Sequence, residues 1–476
     1  MNVNENFNWL HVGLPEEISR LRDWGDYPAA LRVIDRYLGD SRIPDALRHC
    51  LLAEREMLRR IPAEYPFDRE QAISLVQERM QNFQAGEFDA WEDAGRIDWI
   101  FRDGKKHYFH RFLDSLCKTD PDIAKRCGEA QLGADGHDEN GYLKEALEEM
   151  HRTGETCRRI RCQIELRLKD PAFVPGMRVR VYLPLPVRCL AQEAVRIEAH
   201  TEAPLLIAPE EQSQRTVIWD SVLSENHPFF VRFSYLRRER YLDLWRKDPD
   251  AKWAERQAAH YRASCSRMEE PGPEDLREQA PHILFTPFLK ELSDRLTGEQ
   301  EGALEKARAI YWFITGNVRY RYMRSYFGLE QIAENGAKSL SGDCGVMALL
   351  FLTLCRAGGI PARWESGWKA APDFCGAHDW VYFYAEPYGW IPADISFGAG
   401  AFREGNEGRR RHYFGNLDPF RMAANTAFQA PFAIPMRQWR SDPYDNQVGE
   451  AEAWDTALCY QDWESKKEVL CCERID

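Results

Sequence analysis

Apolar residues recur at three- and four-residue intervals over Leu14 to Leu21 and Tyr27 to Leu38. That spacing gathers them on one face of a helix. Gly25 and Gly39 punctuate the two stretches. The same period runs over Asp45 to Ile61 and Asp68 to Phe83, so residues 1–155 are expected to form a helical region. Near residue 160 the period changes to two. Ile164, Leu166 and Leu168 alternate with polar residues, as do Val179, Val181 and Leu183, and then Phe229, Val231, Phe233 and Tyr235. Pro184 and Pro186 close one run. Short alternating strands divided by Pro- and Glu-rich turns predict a small β-sandwich over residues 156–245. Residues 246–280 are charged and contain Pro271-Gly272-Pro273, which reads as a partly helical linker. The helical period then returns in Leu289, Leu292 and Leu296, and again in Leu304, Ala307, Ile310, Tyr311 and Ile314. An α+β core over 281–435 and an extension over 436–476 complete a multidomain α+β chain.

At 476 residues the chain is too long for one ordinary core. Its 44% apolar and 29% charged residues are a normal soluble balance. A net charge of −13 argues against a nucleic-acid partner. Two basic runs, Arg237-Arg238-Glu239-Arg240 and Arg409-Arg410-Arg411-His412, are expected to be solvated loops or strand ends. The start, Met1 to Asn6, has neither a basic nor an apolar run, and no stretch approaches a membrane span. The expectation is a cytoplasmic protein with no membrane partner. Thirteen cysteines without framework spacing are then expected to be free thiols, mostly buried. Cys375 and His378 have metal-like spacing, but two further ligands are missing, so no metal and no cofactor is expected.

The chemistry lies in two segments. Ser341-Gly342-Asp343-Cys344 precedes a long apolar run that Gly358-Gly359 ends. This is a helix start, with Ser341 or Asp343 as its cap. Cys344 in the first turn would meet free N–H groups and the positive end of the helix dipole, which favour a thiolate. Downstream, His378 to Tyr384 and Trp390 to Asp394 are aromatic and β-branched runs around a turn containing Pro387 and Gly389. With the turn centred near residue 386, His378 and Asp394 would oppose each other on neighbouring strands, Cβ atoms about 5 Å apart. That arrangement lets a carboxylate fix the imidazole tautomer. Asp379, the next residue, is a weaker rival partner for the imidazole, since it is expected to point to the opposite sheet face. Thiol, imidazole and carboxylate would then serve as nucleophile, general base and orienter.

These stretches, with Leu354 to Arg363 and Gly389 to Asp394, resemble the transglutaminase-like branch of the papain-like thiol enzymes. The resemblance covers about residues 285–400, and the β-rich segment before it is similar to the sandwich that precedes such cores in bacterial members. It implies a Cys344-His378-Asp394 triad that forms a thioester on a protein or peptide substrate. A primary amine or water resolves the thioester, giving a transglutaminase in the first case and a cysteine peptidase or deamidase in the second. A vestigial core serving as a protein-binding scaffold is the reading from another class. The second oxyanion donor stays open among Trp312, Tyr320 and Tyr322.

Overall fold

The computed structural model describes residues 12–128, 141–246, 251–264 and 269–475. The expectation for Met1 to Asn6 lies outside them, as do 247–250 and 265–268 of the expected linker. The chain divides into two compact units. Of the described residues, one unit comprises 12–128 with 320–330, and the other those from 141 to 319 with 331–475.

The first unit is helical as far as the spacing foresaw. Ile18, Ala30, Ile34, Leu51 and Leu58 fill one cluster. Val76, Phe88, Tyr108, Phe112 and Leu116 fill another. Asp26 and Asp68 cap two of its helices, accepting from Ala29 N–H and Gln71 N–H at 3.0 and 2.9 Å. The unit also holds a β-hairpin that helical periodicity does not predict, Trp99–Arg102 against Lys105–Tyr108. Its turn is Asp103-Gly104, both residues at positive φ, as a two-residue hairpin turn demands.

In the second unit the alternating segments become a two-sheet sandwich. One sheet orders Trp463–Arg474, Glu155–Leu168, Phe229–Arg240 and Gln192–His200. The other orders Glu450–Ala453, Met177–Pro184, Thr216–Leu223 and Leu206–Ile207. All pairings are antiparallel. The alternation maps onto burial: Ile164, Leu166, Val179, Val181, Val231 and Phe233 all face the interior. Residues 436–476 are therefore no appended extension, because each sheet takes one strand from them.

A four-stranded sheet of the core orders Gly389–Ala393, Phe374–Ala385, Ala362–Ala371 and Arg421–Asn425. Its Trp368, Ala370, Met422 and Ala424 join the sandwich interior, with the Phe233 and Trp368 rings 5.8 Å apart. Sandwich and core, expected as separate domains, thus share one hydrophobic interior. The expected linker is partly anchored as well. Tyr261, on the helix Ala251–Ser264, is buried and donates its hydroxyl to Trp390 O at 3.0 Å. Asp275 is buried and accepts two bonds from Arg363 at 2.8 and 2.9 Å.

The basic runs are likewise not simply solvated. Arg237 is fully buried, bonded to Glu239 at 2.6 Å with Glu365 at 3.5 Å. Arg410 is buried and donates to Thr315 Oγ1 and Trp312 O. Among the described residues, no helix is long and apolar enough to cross a membrane.

Candidate active site

The helix Cys344–Ala357 starts where the sequence places it. Asp343 is its cap, accepting from Val346 N–H at 3.1 Å. Gly345 to Arg356 are all buried, and Gly359 follows the end in the left-handed conformation. Arg356 clamps the return into the next strand through two bonds to Ala362 O, at 3.0 and 2.8 Å. Phe351 of the helix packs against Phe383 of the strand Phe374–Ala385, ring centroids 5.9 Å apart. Cys344 is half-buried in the first turn.

His378 lies on that strand, opposite Gly367. A Cβ on Gly367 would meet Met422 O at 1.9 Å, so only glycine lets the strand Arg421–Asn425 approach here. The hairpin register differs from the expected one. Val381 pairs with Ala393 and Ala385 with Gly389, so the turn centres one residue later. Asp394 falls past the last rung, diagonal to His378, and caps the helix Ile395–Arg403. It reaches the imidazole from there: His378 Nε2 is 2.6 Å from Asp394 Oδ2. Phe397 N–H donates to Oδ1 at 2.9 Å, and Arg421 Nη1 donates to Oδ2 at 2.6 Å. Arg421 is tied in turn to Asp418 at 2.7 Å. The Phe397 ring covers the imidazole at 4.3 Å. His378 is 5% exposed, Asp394 and Asp418 not at all.

Burial alone would raise the Asp394 carboxyl, but the imidazole and Arg421 outweigh it and hold the group far below the carboxylate range. Burial lowers His378, and Asp394 offsets this only in part, so the imidazole is neutral at pH 7. With Nε2–H donated to Asp394, Nδ1 is the basic nitrogen.

Asp379 projects to the other face of the strand, as alternation requires, but it is not idle there. Gln447 Nε2 donates to its Oδ1, to Asp445 Oδ2 at 2.7 Å and to His378 O at 3.4 Å. Ser366, the register partner of Asp379, donates to Asp445 Oδ2 at 2.6 Å. The Cys344 thiol hydrogen-bonds to Asp379. The structure therefore brings His378 to Asp394 and Cys344 to the residue beside His378. Asp379, the weaker rival for the imidazole, lies against the thiol instead. Burial and the neighbouring Asp445 push the Asp379 carboxyl well above its ordinary range, while bonds from Cys344 and Gln447 offset this in part.

Of the oxyanion candidates, Trp312 packs against Trp245 at 5.0 Å and under Arg410 at 4.2 Å. Tyr320 and Tyr322 belong to the first unit, where Lys118 sits 4.5 Å over one ring and Arg111 3.5 Å over the other. A cavity of about 850 Å³ opens further along the core sheet, at Arg363, Glu365, Tyr382 and Trp390, and none of Cys344, His378 and Asp394 lines it. No His/Cys/Asp/Glu cluster among the described residues has the geometry of a metal site.

Residues 290–395 match the transglutaminase-like superfamily. The match contains Cys344, His378 and Asp394 and leaves the sandwich outside. The chain is also similar in sequence to an uncharacterized protein of Haemophilus influenzae. That relative is 29% identical over 142 residues, 24% of this chain and 37% of the relative's length. Among solved structures, a candidate cysteine protease from Cytophaga hutchinsonii superposes with a TM-score of 0.38 at 14% identity, over 68% of this chain and 92% of the other. The periplasmic domain of TgpA from Pseudomonas aeruginosa gives 0.26 at 16% identity, over 56% and 95%.

Proposed function

We propose that the transglutaminase-like core is a thiol enzyme acting on protein or peptide amides through Cys344, His378 and Asp394. The supporting observation is the buried 2.6 Å pair of His378 with Asp394, whose carboxylate Phe397 N–H, Arg421 and Ser396 also hold. Such a pair supplies a neutral, oriented base at pH 7. Cys344 stands at the start of a buried helix, hydrogen-bonded to the next residue along the strand.

In the reaction the thiol leaves Asp379 and gives its proton to His378 Nδ1. The sulfur attacks a carboxamide or peptide carbonyl, and the imidazolium returns the proton to the departing amine. A thioester remains, which a primary amine or water resolves. Incubating the full chain with a peptide library and a primary amine, read by mass spectrometry, separates cross-linking, deamidation and cleavage. No mass change on any peptide, with Cys344 unacylated by an activated ester, would refute the proposal.

One observation favours a scaffold reading: the thiol's hydrogen-bond partner is Asp379. Fast alkylation of Cys344 near neutral pH supports the enzyme, and slow alkylation supports the scaffold.

A further inference from the structure

Two buried carboxyls stand behind the thiol. Asp379 and Asp445 are each 7% exposed, and one Gln447 Nε2 donates to both. Two buried carboxylates held side by side on one donor cannot both ionise readily, so one proton stays on the pair. Asp445 is the member with more stabilising neighbours. Ser366 and Gln447 donate to it, and Arg440 lies near. Asn425 Nδ2 braces Ser366 at 3.1 Å. The proton therefore rests on Asp379, the member that touches Cys344.

We propose that Asp379 is a positioning residue for the Cys344 thiol, acting with Asp445 as a carboxyl pair that shares one proton. In the resting site Asp379 donates its O–H to the Asp445 carboxylate, and its other oxygen accepts the S–H of Cys344. The sulfur then faces a neutral carboxyl and can ionise toward His378. When the pair loses its proton, a full negative charge comes to lie against the sulfur, and the thiolate is suppressed. The remaining charged groups facing the pair are Asp343 at the helix start, Asp442 and Arg440 beside Asp445, and Lys467 on the last strand. The consequence for turnover rests on Cys344 being the nucleophile. The effect on the thiol itself does not.

The test is the rate of Cys344 alkylation by iodoacetamide against pH in the full chain, followed on the Cys344 peptide by mass spectrometry. Asp445→Asn removes the neighbouring charge, so Asp379 ionises more readily against the sulfur and alkylation near pH 7.5 should fall, by about tenfold where the thiol pKa moves by roughly one unit. Asp379→Asn removes the charge from the contact and should alkylate at least as fast as wild type. Adding Asp379→Asn to Asp445→Asn should restore the rate, a rescue that a structural role would not give. Ser366→Ala, which breaks the brace without changing charge, should act weakly. An unchanged rate in Asp445→Asn, a failed rescue, or an equal loss in Ser366→Ala would overturn the proposal. If Asp445→Asn does not fold, the profiles decide. Wild type should flatten where the pair ionises, Asp379→Asn should follow a single ionisation, and identical profiles would overturn it. Single-turnover acylation by an activated ester runs alongside. Lost acylation with this titration pattern intact counts against the enzyme and leaves the pair standing. Normal acylation with the pattern absent does the reverse.

Discussion

His378 and Asp379 are consecutive in the chain, yet their surroundings are opposite in sign. Around His378 the buried charges alternate: Asp394, Arg421 and Asp418 follow one another at hydrogen-bond distance. Each carboxylate has a cation against it, and both carboxyls are held below their ordinary range despite complete burial. Around Asp379 the like charges meet. Asp379, Asp445 and Asp442 interact, and all three are raised, first by burial and, for Asp379 and Asp442, next by the nearby Asp445. Burial is common to both faces, so the order of charges decides whether a carboxylate or a carboxylic acid results. One strand thus presents an oriented base on one side and a proton-holding pair on the other.

The largest effects should come from the reacting groups. Cys344→Ala is expected to abolish single-turnover acylation, and His378→Ala to lower it about 10²–10⁴-fold. Asp394→Asn should retain more activity than either. Full activity in Cys344→Ala would remove the thiol from the comparison altogether.

Next in size is the cation that makes the His378 side alternate. Arg421→Met leaves Asp394 and Asp418 buried without it and should cost about 3–5 kcal/mol of stability in urea denaturation. Asp394→Ala should be destabilising for the same reason, since Arg421 is 1% exposed on its side chain. An unmoved urea midpoint in Arg421→Met would break the comparison.

The two faces should also respond to pH with opposite sign. Asp394 and Asp418 have lowered folded pKa values. Their stabilisation is present above the unfolded value, about pH 4, and is lost as the pH falls below it. Asp379 and Asp445 have raised folded values. Their penalty is absent below about pH 4 and grows as the pH rises through the folded values. Asp394→Asn should therefore lower Tm at pH 8 and matter less in acid. Asp379→Asn should raise Tm at pH 8 relative to pH 4. Shifts of the same sign would show that charge order does not govern the two faces.

The smallest effect is expected at Gln447, whose amide holds both residues at once. Gln447→Ala should cost about 1 kcal/mol, the worth of an ordinary hydrogen bond, measured by the same denaturation.

The sequence made some of this legible and hid the rest for physical reasons. The capped start of the Cys344 helix and the inward residues of the sandwich rest on local rules, spacing and capping, and the structure bears them out. The His378–Asp394 contact was legible as a pairing but not as a geometry, because Asp394 leaves the strand to cap a helix. The Asp103-Gly104 hairpin carried its own dipeptide signal inside an otherwise helical stretch. Arg421, Asp418, Asp445 and Gln447 had no local signal, since only long-range folding brings them to the site. The strand Trp463–Arg474 escaped notice because charged residues such as Glu464, Lys466 and Glu468 fill its exposed positions, leaving few apolar residues to mark a period.

That strand has a consequence in time. It lies beside Glu155–Leu168 in a sheet whose interior is continuous with the core sheet. A ribosome releases it only after every residue of the candidate site has been made. Until then Glu155–Leu168 carries an open edge, a surface on which nascent chains can pair wrongly. Cys344, His378 and Asp394 all precede that strand in the chain, so the residues of the candidate site are made while this edge of the sandwich is still open.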